Sequence, residues 1–452
     1  MLQGPILLFI LLLGILFIIL ATSKFKLHPF IALIVAAYGI AFAAGMDTKE
    51  IGDVISQGFG GTLTGIGLVI IFGTIIGTIL EKSGAAITMA DSVLKVVGEK
   101  HPGITMSIIG YIVSIPVFCD SGFVILSSLK DSLAKRSKVS SVMMSVALAT
   151  GLYATHTLVP PTPGPIAAAG NLGLQDQLGL VILVGLIVSV VPVITGYLWA
   201  VRSGKRYKTM EEEKNIELDN IDMTEKYDNL PTPFKAFAPI GVPILLITLG
   251  SIAVFPSKPF GEGNIFNLFA FVGKPINALF IGMLFATLLF PKWDEETLSK
   301  WVGEGLKEAA IIIMITGAGG SLGKVLSSTP IGEYLGNTLA NWNLGIILPF
   351  IISAGLKTAQ GSSTVALVTT STLVAPLLPT LGLASTMGRV LTVMAIGAGA
   401  MTVSHANDSF FWVVTEFSGM DVGTAYKSQT MATLVQGIST IIVVGILSVI
   451  LL

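Results

Sequence analysis

The sequence predicts an all-α polytopic membrane protein made of two inverted-topology repeats, each with a re-entrant hairpin and a broken transmembrane helix. Three observations carry that expectation: a shortage of charge, a series of apolar runs of membrane-crossing length, and polar, proline-rich breaks that recur in both halves. Of 452 residues, 52% are hydrophobic and 12% charged, against about 25% charged in a typical soluble domain. Such a chain cannot clothe a water-facing surface. The formal net charge is −1, without basic clusters, which excludes nucleic acid as a partner because phosphate neutralisation needs concentrated Lys and Arg. The single cysteine, Cys119, excludes an intrachain disulfide and any multi-cysteine metal site.

A bilayer core takes about 20 predominantly apolar residues per helix. Runs of that kind fall near 4–22, 28–45, 60–80, 178–200, 237–256, 266–290, 304–326 and 430–452. The first reads as a retained helix with its N-terminus outside, since its basic residues, Lys24 and Lys26, follow it and no clear small-residue cleavage site is present. Four further stretches, 104–129, 140–175, 344–378 and 388–418, are apolar but interrupted by Gly, Pro, Ser and Thr. Pro removes a backbone donor and Gly loosens a helix, and such breaks survive at membrane depth only where the freed backbone lines a cavity or is buried in protein. The 104–129 and 344–378 stretches are expected to be hairpins that return to their own side. The segment 201–236, with Glu211, Glu212 and Glu213, is expected to be a polar cytoplasmic linker between a first repeat, 1–200, and an inverted second repeat, 237–452.

The basic residues support this layout. With the N-terminus outside, only Lys49, Lys258, Lys274, Lys324, Lys357 and Arg389 of the 26 Lys and Arg fall outside or in the outer hairpin, and the other twenty face inward, as the positive-inside rule requires. Five crossings then precede the linker and five follow it, so the halves enter from opposite sides. Internal similarity agrees: the segments from Gly73 and Gly319, Cys119 to Gly122 and Ala359 to Ser362, and Thr155 to Thr157 and Ser404 to Ala406 align in order at a nearly constant offset.

The unusual chemistry lies in the interrupted stretches. An ionised side chain at the bilayer centre costs roughly 2.5–3.5 kcal/mol on translocon scales. Asp120, between Phe118 and Phe123, reads as a proton carrier or substrate-orienting group, or as a helix N-cap. His156 and His405 occupy matching places and titrate in the physiological range; each either relays a proton, hydrogen-bonds an anion or donates to a carbonyl freed by the break. The Pro160 to Pro165 run cannot continue a helix and leaves carbonyls and the Gly164 amide facing a cavity. The run from Gln360 to Thr364 begins a half-helix whose free amides and positive dipole end suit a carboxylate, unless the Ser362, Ser363 and Thr364 hydroxyls bond back to their own helix. Asn407 and Asp408 suit a cation or a polyol. Glu416 reads as a solvated end group, and Lys357 and Arg389, near the outer side, either attract an anion or, as the preferred reading, snorkel to the interface. No close His or Asp pairing at ligand spacing supports a metal, no cofactor is implied, and the absence of an ATPase glycine loop excludes transport driven directly by ATP on this chain.

At these residues the sequence resembles the gluconate:proton symporter, or gluconate permease, family within the ion transporter superfamily. The resemblance runs from Phe25-Lys26-Leu27-His28-Pro29-Phe30 through Gly60-Gly61 and Ser83-Gly84-Ala85, and is most specific at IPVFCDSGF, from Ile115, and THTLVPPTPGPIAAAG, from Thr155. Members carry gluconate, other sugar acids, glycerate or D-serine; this chain departs from many of them in having Thr162 in place of His and Cys119 in place of a bulkier residue. The resemblance implies a homodimer with a scaffold part and a moving part, the latter formed by the two hairpins and two broken helices.

Together these readings give the expectation of secondary active uptake of a small organic carboxylate by proton symport across the inner membrane of a bacterium, with the acid, the proton and membrane lipid as partners. The carboxylate is expected near Ser121, Gly122, Gly361, Ser362 and Ser363, and hydroxyls of a polyol substrate near Thr157, Thr162 and Asn407; Gln360 and His156 are expected among the substrate-binding residues as well. Asp120, His156, His405 or Asp408 would carry the proton. Three alternatives compete: sodium coupling through carbonyls around Asn407 and Gly361, an intramembrane hydrolase using Ser121 with His156, and a passive channel.

Overall fold

The computed structural model describes residues 5–209, 230–253, 260–329, 345–406 and 408–452, which fold into helices with no strand among them. Helix α1 (Pro5–Ser23) is followed by α2 (Pro29–Ala43), which starts with Pro29 in its first turn and the His28 side chain accepting from the Phe30 amide. Helix α3 (Ile51–Lys82) extends well beyond the 60–80 apolar run. A left-handed Gly84, at φ 74°, turns the chain directly into α4 (Ala85–Val97), which was not expected. Ile87, Met89, Ala90 and Val93 are buried while Lys95 and Val96 are exposed, so its apolar residues pack within a polar-punctuated segment.

The next elements are α5 (Pro102–Val113), α6 (Cys119–Ser137), α7 (Ser141–Leu158), α8 (Pro163–Asn171) and α9 (Leu178–Gly204). The second half supplies α10 (Pro233–Ala253), α11 (Asn264–Val272), α12 (Pro275–Ala286), α13 (Val302–Ser327), α14 (Ile347–Gln360), α15 (Ser363–Val374), α16 (Thr386–Met401), α17 (Ser409–Phe417) and α18 (Met431–Leu451). All four interrupted stretches are broken helices: α5 and α6 part at 114–118, α7 and α8 at 159–162, α14 and α15 at Gly361 and Ser362, and α16 and α17 at 402–408.

Among the described residues six helices are long and apolar enough to cross a membrane, seven if a bent pair counts as one, and further apolar helices have 10–17 residues. The sequence-based count of ten crossings is larger because breaks divide apolar stretches into short helices. The 266–290 run is one such case: it reads as a single span but bends by 72° between α11 and α12. Pro275 cannot continue the preceding helix, and Gly273 lies so close to Gly250 that a Cβ there would collide with it. Of the expected linker, residues 210–229 lie outside the described residues; α9 already extends to Gly204 and α10 begins at Pro233.

Burial separates two environments. Nearly every residue of α7, α15 and α16 is buried, whereas α1, α9 and α18 expose large apolar side chains such as Phe9, Leu12 and Leu16, Leu183, Ile187 and Ile194, and Ile438, Ile442 and Ile446. Those exposed rows recur at helical spacing and form the surface suited to lipid. Packing also positions the first break. Gly110 on α5 and Gly151 on α7 face each other so closely that a Cβ on Gly110 would lie 2.6 Å from the Leu148 carbonyl oxygen, and Ser107 Oγ donates to the Ala147 carbonyl at 3.2 Å. Small residues admit such approach between apolar helices, and it brings the 114–118 turn against α7.

Candidate functional site

Residues beside three of the four breaks meet α7 around one polar cavity of about 350 Å³. Its wall comprises Phe118, Cys119 and Asp120 from the start of α6, Tyr153 and His156 from α7, Gln360 to Thr364 across the α14–α15 break, and Asp408, Ser409 and Phe410 from the start of α17. Helices α6, α15 and α17 therefore all present their N-terminal ends to the same space. First-turn amides lack intrahelical acceptors and carry the positive end of the helix dipole, so three such ends make the cavity suited to an anion.

The side chains of this wall leave hydrogen-bonding capacity unused. Asp120 Oδ1, His156 Nδ1 and both amide atoms of Gln360 are buried without a partner. A buried polar group left unsatisfied costs about 1–3 kcal/mol, and native proteins keep few of them outside functional positions. Four such atoms around one cavity indicate a place for a polar guest. Cys119 Sγ lies 3.5 Å from Asp120 Oδ2, and the His156 ring packs against Tyr153, stacked at 6.4 Å, and Phe118, tilted at 5.9 Å.

Lys357 is the feature that sequence reading assigned wrongly. Instead of snorkelling to an interface, it is fully buried, and its Nζ donates to Asp408 Oδ2 at 2.6 Å and to the Gly361 carbonyl at 2.6 Å. Asp408 Oδ2 also accepts from Ser404 Oγ, and its Oδ1 accepts from the Phe410 amide at 3.1 Å, capping α17. Gly361 sits at φ 90° and closes α14, a backbone region that costs a residue with a Cβ about 1–2 kcal/mol. One ammonium thus ties the α14–α15 break to the α16–α17 break. The signal available in the sequence was Asp408 itself, because buried charges come paired and Lys357 is a basic residue on an interrupted stretch of the same half.

Other expected residues are placed differently. His405 Nε2 lies 2.9 Å from the Thr358 carbonyl and His405 is not part of the cavity wall. Thr157 Oγ1 donates to the Tyr153 carbonyl of its own helix, and Thr162 Oγ1 to the carbonyls of Val159 and His156, at 3.1, 2.7 and 3.1 Å, so Thr162 holds the α7–α8 break and neither hydroxyl proton is left for the cavity. Ser121 and Gly122, in the first turn of α6, are not among the residues that line the cavity, and a Cβ on Gly122 would meet Leu152. Ser362 Oγ accepts from the Val365 amide at 3.2 Å as the cap of α15 while its residue still lines the cavity, beside Ser363. Asn407 lies outside the described residues. A larger cavity, about 640 Å³, lies among α3, α8, α13 and α15; among the described residues Lys324 is its only ionisable lining residue.

Broken helices whose free ends meet at a polar cavity, inside a shell of lipid-suited helices, define a polytopic membrane transporter. The chain belongs to the GntP family of permeases, whose profile matches residues 6–450. It is 31% identical to a gluconate permease of Pseudomonas aeruginosa, covering 96% of both chains, and 31% identical to the D-serine transporter DsdX of Escherichia coli, covering 95% of both. Its fold matches that of the YdaH transporter of Alcanivorax borkumensis with a TM-score of 0.66 at 13% identity, over 94% of this chain and 98% of that one. Family and helices together make it a multi-pass protein of the bacterial inner membrane, and a permease rather than an enzyme.

Proposed function

We propose that the protein accumulates a small organic carboxylate, a sugar acid or a compact hydroxy- or amino-acid, by proton symport. The observation that carries this reading is the set of three helix N-termini and four unpartnered polar atoms around the cavity. The substrate carboxylate takes the first-turn amides of α15 near Ser362 and Ser363, and Gln360 and His156 supply hydrogen bonds to its hydroxyl or amino groups. A volume of about 350 Å³ is at the small end of the roughly 300–1,000 Å³ typical of small-molecule sites, which suits a compact acid.

Charge balance supports proton coupling. Asp408 is already engaged by Lys357, Ser404 and the Phe410 amide, whereas one oxygen of Asp120 is unpartnered. A monocarboxylate entering this low-dielectric space adds a negative charge next to Asp120, and like charges at such range disfavour joint ionisation. A proton taken up by Asp120 leaves the total charge of the site unchanged. In this reading Asp120 carries the proton and Lys357–Asp408 is a permanent pair that holds two breaks in register. Sodium coupling has less support, because the Gly361 carbonyl expected as a ligand already accepts from the Lys357 ammonium.

Residues 1–200 and 237–452 act as inverted repeats about the 201–236 linker, supported by the same order of breaks in each half, and the protein works as a homodimer in which the broken helices move against the remainder. The test is uptake into proteoliposomes under an imposed pH gradient, without sodium, using gluconate, glycerate and D-serine. Accumulation above equilibrium that collapses with the gradient is expected. Accumulation that follows sodium at fixed pH would refute proton coupling, and uptake that never exceeds equilibrium would indicate a channel.

A further inference from the structure

A second polar cavity, of about 220 Å³, lies where α9 ends beside the π-helical stretch Tyr426–Thr430. Its wall includes Arg202, Arg206 and Lys427, together with Trp199, Ser203 and Tyr207, and among the described residues no acidic one lines it. Among the described residues none of the three cations has a carboxylate within ion-pair distance. Two buried groups in the same wall are also unpaired: Ser203, 1% exposed, has no partner for its Oγ, and the Trp199 indole N–H has none for its hydrogen. The Arg202 guanidinium sits 5.9 Å over the Trp199 ring, and both residues line the cavity.

The positive-inside rule explains cations at this end of α9, and cations near a helix C-terminus also gain from its dipole. Neither explains two buried donors without acceptors. Two guanidinium forks, one ammonium, one hydroxyl and one indole N–H form a donor set that meets no acid among the described residues, and Arg forks match phosphate oxygens in pairs. Basic pockets at the cytoplasmic ends of membrane helices are suited to anionic headgroups. We infer that this cavity binds a phosphate-bearing anion at the inner membrane surface, either the phosphodiester of an anionic lipid or free phosphate. Bound there, the phosphate bridges α9 and the segment that leads into α18.

The experiment is a thermal-unfolding titration of the full chain in detergent with short-chain phosphatidylglycerol, short-chain phosphatidylcholine or inorganic phosphate, on wild type and on Arg202→Gln, Ser203→Ala and Trp199→Phe. Stabilisation by phosphatidylglycerol but not phosphatidylcholine is expected, with apparent affinity roughly tenfold weaker in Arg202→Gln, as for loss of a charge-assisted hydrogen bond, and weaker in Ser203→Ala and Trp199→Phe. Equal protection by inorganic phosphate, with the same dependence on the variants, assigns the site to free phosphate. The inference is overturned by absence of protection from either anion, or by protection that the three variants leave unchanged. Ser203→Ala removes only an unpaired hydroxyl, so it keeps the test meaningful if Arg202→Gln does not fold.

Discussion

Replacing Lys357 by Met leaves Asp408 buried without its counter-ion. The substitution removes two hydrogen bonds of 2.6 Å, to Asp408 Oδ2 and to the Gly361 carbonyl, and both lost contacts lie at residues with little or no solvent exposure. Breaking a buried ion pair from one side costs about 3–5 kcal/mol, whereas replacing both partners by neutral groups is often nearly neutral. Lys357→Met alone should therefore lower thermal stability in detergent strongly, and Lys357→Met with Asp408→Asn should recover most of the loss. Asn keeps an acceptor for the Phe410 amide, so the α17 cap survives in the double variant. Transport should stay impaired even there, because the ammonium no longer ties the two breaks together. The assay is thermal unfolding of the wild type, both single variants and the double variant, which also gives the coupling energy between the two positions. Additive losses, with the double variant no more stable than Lys357→Met, would refute the pairing argument.

Two further substitutions separate binding from stability. Gln360→Leu removes two buried atoms that have no partner, so stability should hold or rise by about 1 kcal/mol while substrate affinity, read from ligand-dependent thermal shift, falls roughly tenfold. Gly361→Ala forces a Cβ into the left-handed region at φ 90°, and should cost about 1–2 kcal/mol with slower uptake, measured by unfolding and by initial rates in the same preparations.

The positions of the helix breaks were readable from local punctuation. Pro116, Pro160 to Pro165, Gly361 and the polar run from Ser404 each interrupt an apolar stretch, and each lies at or beside a break in the structure. The Gly273-Lys274-Pro275 bend carried the same punctuation but lay inside a run whose hydropathy masked it. What local reading misses is partnership. Lys357 and Asp408 are 51 positions apart, so the pairing depends on how two breaks pack and not on any spacing. His156 and His405 look equivalent in the sequence, yet one faces the cavity from a continuous helix and the other meets the Thr358 carbonyl from an extended break. Thr157 and Thr162 looked available for substrate, but freed or neighbouring carbonyls claim their hydroxyl protons first, as short polar side chains near helix ends commonly do.

In the proposed symport, Asp120 takes up the proton that accompanies the carboxylate. The most direct test compares wild type and Asp120→Asn in proteoliposomes, recording substrate entry and internal pH together under an inward proton gradient. The wild type should acidify the lumen in step with substrate and accumulate it above equilibrium. Asp120→Asn should still exchange labelled for unlabelled substrate but neither accumulate it nor carry protons. Accumulation by Asp120→Asn at the wild-type ratio of protons to substrate would contradict the assignment.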